Sequence, residues 1–116
     1  MRLTEDPATA AWLENLVGVP DEFDWDLGNR TKNRKHGVDA GDVEAMFLSP
    51  ILFAGRIVEP SHVEPRWLML GQDGSGRSLA LIFTIRGRRL RAVSCRSMRP
   101  KEKKLYEEVI GNVDFV

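Results

Sequence analysis

Two glycine-bearing turns constrain this chain more than any other feature. Asp73-Gly74-Ser75-Gly76 and Gly87-Arg88 separate three strand-like runs, residues 66–71, 77–86 and 89–97. Connections this short join strands only in antiparallel order, because a parallel pair needs a crossover of a dozen or more residues. Within 77–86, Leu79, Leu81, Phe83 and Ile85 fall on one face at the strand period of two. Residues 51–58 add another apolar run, with Gly55 at the position of a bulge. A meander of four strands follows.

The flanking segments read as helices. Asp26 is a suitable N-cap for residues 27–36, and Gly37 can stop that helix and turn Val38 into the core. Asp39, with Asp42 three positions on, opens a helix over 40–48 that buries Val43, Met46 and Phe47 before Ser49-Pro50 ends it. Pro100 starts a closing helix with Leu105, Tyr106 and Val109 available to dock it. Near the start, Asp6 and Pro7 open a helix that Gly18 closes, with Trp12, Leu13, Leu16 and Val17 on its apolar side. Residues 22–25 alternate like a brief strand. The order predicts an α+β fold, an antiparallel four- to five-stranded sheet with helices packed on one face. Residues 1–20 form an N-terminal helical extension, and 21–116 form a single domain.

A single cysteine, Cys95, excludes a disulfide framework, and two separated histidines, His36 and His62, exclude a zinc cluster. No cofactor motif is present. No apolar run is long enough for a membrane span, and the acidic start does not resemble a signal peptide, so a cytoplasmic location is expected. The zero net charge conceals an asymmetry. Residues 1–26 carry one arginine against seven carboxylates, a net of −6, while residues 66–104 carry eleven cations against two carboxylates, a net of +9. Eight of those eleven are arginine, whose planar fork suits phosphate.

The stretch 32–38, Lys-Asn-Arg-Lys-His-Gly-Val, concentrates chemistry at one helix end. Asn29, Lys32, Asn33 and His36 share a face at helical spacing, and Lys35 and His36 sit at the negative end of the dipole. RNA cleavage by 2′-hydroxyl attack needs a proton acceptor, a proton donor and cations around the phosphorane. His36, Lys35, Arg66, Arg96 and Tyr106 are candidate catalytic groups, and Lys32, Asn33, Arg77 and Glu64 candidate RNA contacts. Glu64 or Glu102 is a candidate base or arginine partner, and Trp25, Trp67 and Tyr106 are candidate stacking platforms. The hairpin pairing brings Arg66 towards Arg86 and away from Arg77, while Arg96 lies near Arg77. Arg86, Arg88 and Arg89 around the second turn read as solvated charges, and Ala92, Ser94 and Arg96 as one strand face with room for a ligand.

Phe23-Asp24-Trp25-Asp26, Lys35-His36-Gly37-Val38, Glu64-x-Arg66 and Ser94-Cys95-Arg96, followed by Glu102 and Tyr106, together resemble the BrnT family over roughly residues 22–108. Those proteins are ribonuclease toxins of bacterial type II toxin–antitoxin modules with a fold like that of the RelE toxins. The resemblance implies RNA cleavage without a metal, inhibition of translation and neutralisation by a DNA-binding antitoxin of the ribbon-helix-helix type, so that DNA is met only through that partner. It implies RNA contact at the Lys-His-Gly helix end and at Arg66 and Arg96. Lys32 stands where the family usually has asparagine, with Asn33 one residue later. The alternative is a non-catalytic RNA- or protein-binding module with a basic sheet face.

Overall fold

The computed structural model describes residues 1–14 and 23–110. Five antiparallel strands form one meander in sequence order: β1 (Arg2–Thr4), β2 (Leu52–Glu59), β3 (Trp67–Gln72), β4 (Ser78–Arg86) and β5 (Arg89–Ser97). The helices are α1 (Pro7–Glu14), α2 (Leu27–Arg34), α3 (Ala40–Met46) and α4 (Pro100–Val109). The α+β class and the antiparallel sheet are as expected, but the fifth strand is β1, from within the segment expected to be helical. Of the expected strand at 22–25, Phe23 makes a single parallel bridge to Leu90, and Asp24 N–H donates to the Leu90 carbonyl at 2.9 Å.

Alternation divides the sheet into two cores. Trp67, Met69, Leu79, Leu81, Phe83, Leu90, Ala92 and Cys95 face Leu13 of α1, Val38, and Val43 and Met46 of α3. Leu68, Leu70, Ala80 and Ile57 face Tyr106 of α4. The helices therefore do not all lie on one face: α4 covers the other side. Of the residues expected to dock it, only Tyr106 is buried, with its hydroxyl donating to the Pro50 carbonyl at 2.7 Å, while Leu105 and Val109 stay exposed.

The expected bulge is present. Gly55 has φ 130°, the β2–β3 register shifts beside it, and a Cβ there would meet the Thr4 carbonyl oxygen at 2.5 Å. Only glycine lets β1 lie this close. At the N-terminus α1 begins at Pro7 as expected, Leu13 is 3% exposed, and Trp67 Nε1–H donates to Asp6 at 2.7 Å. The expected end of that helix near Gly18, with Leu16 and Val17, lies outside the described residues.

Candidate active site

Helix α2 begins with a reciprocal cap. Asn29 N–H donates to the Asp26 carboxylate at 3.0 Å, and Asp26 N–H donates to Asn29 Oδ1 at 2.8 Å. It ends at Arg34, two residues short of the expected end at His36, and Gly37 closes the turn that follows. Gly37 takes φ 73°, and the N–H groups of Gly37 and Val38 return to the carbonyls of Arg34 and Asn33 at 2.9 and 3.0 Å. The polar face is not uniformly solvated, however. Asn29 and Asn33 are buried, at 4% and 0% exposure, while Lys32, Lys35 and His36 are exposed. Asn33, expected to touch RNA, instead accepts a hydrogen bond from Cys95 N–H at 2.9 Å. That bond fastens α2 to the outer edge of β5, and burial in the same core pushes the Cys95 thiol up to about 12.

Anchored this way, α2 overhangs the end of the sheet where β3 begins and β4 ends. A cavity of about 230 Å³ opens there, lined by Gly28, Asn29 and Lys32 of α2 with Glu64, Arg66, Arg86, Arg91 and Val93. Four cations thus face one carboxylate. Glu64 accepts from Arg86 Nε and Nη2 at 2.8 and 3.2 Å, and this pairing holds its carboxyl below the usual range. Arg91 is steadied by Asp26 at 2.8 Å and Asp24 at 3.7 Å. Arg66 Nε is buried without a hydrogen-bond partner among the described residues.

The cavity gathers three of the nine site residues expected from sequence, Lys32, Glu64 and Arg66, and adds two that reasoning from sequence passes over. Arg86, at the end of β4 with half of its side chain exposed as expected, also lines the cavity and pairs with Glu64. Arg91 arrives through the β4–β5 register, which sets it opposite Thr84. The signal for both was the pairing across Gly87-Arg88, where Arg86 faces Arg89.

The other candidates lie elsewhere. Lys35 and His36 lie beyond the end of α2, outside the cavity lining. Arg77 binds inward, with Nη1 to the Gly37 carbonyl at 2.9 Å, Nε to Asp73 at 3.0 Å and Nη2 to Asp42 at 3.2 Å. Burial would raise the Asp73 carboxyl, but bonds from Arg77 and Ser75 outweigh it and bring it to about 2. Arg96 lies five residues along β5 from Arg91, roughly 15 Å at the rise of a strand, with both nitrogens on Glu102 at 2.7 and 3.0 Å. The expected common face of Ala92, Ser94 and Arg96 is broken by a bulge: Ala92 pairs with Phe83 and Ser94 with Ile82. Ala92 therefore faces the α3 core, while Ser94 and Arg96 face α4. Arg77 and Arg96 are near in register, yet they reach helices on opposite sides of the sheet. Of the aromatic candidates, Trp67 and Tyr106 are core residues, while Trp25 is half-buried with Arg30 over its ring at 5.4 Å.

Among the described residues no helix is long and apolar enough to cross a membrane. No curated protein matches the chain. The family model described as ribonuclease toxin, BrnT, of type II toxin-antitoxin system matches residues 25–102, and so takes in every residue of the cavity. A meander sheet with a cationic cavity under α2, and a match over more than half its length, make this chain a member of the BrnT family of ribonuclease toxins.

Proposed function

We propose that the endoribonuclease activity of this toxin, and the block on translation that follows from it, reside in the cavity under α2. The observation that carries this is the convergence of Lys32, Arg66, Arg86 and Arg91 on one cavity with Glu64. The RNA 2′-oxygen attacks the adjacent phosphorus as the bond to the 5′-oxygen breaks, leaving a 2′,3′-cyclic phosphate and a 5′-hydroxyl. Glu64 takes the 2′ proton, and Lys32 gives one to the departing oxygen. A carboxylate held low by Arg86 is a weak base, so most of the acceleration comes from Arg66, Arg86 and Arg91 balancing the charge of the phosphorane. No metal ion takes part in this scheme. Lys35 and His36 hold the strand as it leaves the cavity, while Asn33 and Arg77 act as positioning residues for α2 and its terminal turn. The neutralising partner is a ribbon-helix-helix antitoxin, which alone contacts DNA, and both act in the cytoplasm.

A 5′-labelled RNA incubated with the protein in excess EDTA tests this. Discrete fragments ending in cyclic phosphate are expected, and Arg66→Ala lowers kcat by about 10²–10³-fold with an unchanged melting temperature. A gel shift with intact RNA would instead identify a non-catalytic binding module.

A further inference from the structure

A second cleft, of about 660 Å³, lies between β1 and α4. Its floor is apolar, made by Ala54, Leu68 and Leu70, with Leu3 on one wall and Leu105 on the other. The walls are open: Leu3 is 36% and Leu105 43% exposed, and Val109, at 54%, continues the same stripe of α4 one turn on. A monomer rarely leaves such a strip uncovered without a partner for it. The rim is basic, with Arg99 and Lys101 at the N-terminus of α4. The acidic residue beside them, Glu102, is already paired with Arg96.

We propose that this cleft seats a segment of the antitoxin that carries apolar side chains flanked by Asp or Glu. The inference rests on family membership, which supplies a protein antitoxin as partner. The chemistry favours that occupant over two others. RNA would find no aromatic ring for a base to stack on among the lining residues. A second copy docked about a two-fold axis would bring Arg99 and Lys101 of both chains into one small contact, where like charges repel. An acidic segment meets that rim favourably and covers the strip. Among the described residues β1 is the end strand of the sheet beside the cleft, and its outer edge offers backbone groups to an extended chain.

Calorimetry with the purified antitoxin encoded beside this toxin tests the proposal independently of catalysis. Leu3→Asp, Leu105→Asp and the exposed-helix variant Lys101→Glu each weaken binding at least tenfold while RNA cleavage by the free toxin is unchanged. Wild-type affinity in all three variants overturns the proposal. So does a dimer of the free toxin, seen by light scattering, that Leu105→Asp dissociates, since the occupant would then be a second copy. Deleting residues 111–116 must leave the melting temperature in place. A fall that Leu105→Asp reproduces would make the chain's own tail the occupant and overturn the proposal as well. Failure of the catalytic reading shows elsewhere, as a wild-type protein that does not cleave or an Arg66→Ala variant that still does.

Discussion

The side-chain oxygen of Asn33 accepts the backbone N–H of Cys95 at 2.9 Å, at a position where Asn33 is wholly buried. An edge strand would otherwise leave that donor without a partner. The bond holds α2 against β5 and so sets Lys32 over the cavity. Asn33→Leu removes the acceptor and strands a buried N–H, which costs about 1–3 kcal/mol. Denaturant unfolding should show that loss, and cleavage should fall more than the folded fraction does, because Lys32 drifts. Unchanged stability would show that the bond contributes nothing.

Arg86 sets the protonation of Glu64. The pairing lowers the Glu64 pKa, so the carboxylate stays ionised to lower pH than an isolated one. If Glu64 takes the 2′ proton, cleavage is lost as pH falls through that lowered value. Arg86→Gln lets the pKa rise towards normal, and the acid limb of the pH–kcat profile moves to higher pH. An acid limb that stays where it was would remove Glu64 from the reaction.

Asp73 links stability to acid. Its carboxyl falls from 3.8 unfolded to about 2 folded, a difference of about 2 kcal/mol. The folded pKa is depressed, so this contribution is present above pH 4 and disappears as pH falls towards 2. Asp73→Asn is therefore expected to destabilise by about 2 kcal/mol at neutral pH and much less at the acid end. A constant difference across that window, in urea melts, would contradict the assignment.

Removing residues 1–20 strips away β1, the buried Leu13 and the Asp6 acceptor of Trp67. Burial of one leucine is worth about 1.5–3 kcal/mol, and a hydrogen bond to a carboxylate about 1.5–3 more. The melting temperature should drop by roughly ten degrees or more in calorimetry. Cleavage per folded molecule should hold, because none of these groups lines the cavity. Faster cleavage with an unchanged melting temperature would mean that the acidic segment screens the site.

Legibility in the sequence tracks how local each cause is. The Asp73–Gly76 and Gly87-Arg88 turns, the alternation of Leu79, Leu81 and Phe83, the Asp26 cap, the Gly37 stop and the Gly55 bulge all depend on a few adjacent residues. They are readable before any fold is known. β1 is not, because three residues carry no period and its pairing with β2 spans more than fifty positions. Nor is the face to which each polar side chain turns.

By itself, then, the sequence determined a meander of antiparallel strands, a capped helix followed by the Gly37 turn and an arginine-rich half of the chain. Tertiary structure alone decided which charges meet. The shift at Ile82/Phe83 separates Ala92 from Ser94, and the Cys95 donor draws Asn33 inward. The overhang of α2 then turns Lys32 towards Arg66, Arg86 and Arg91, leaving Arg96 to Glu102 and Arg77 to Asp73. Cavity and ion pairs both arise from contacts between residues distant in sequence, so which buried donors and charges find partners depends on what the packed elements bring within reach.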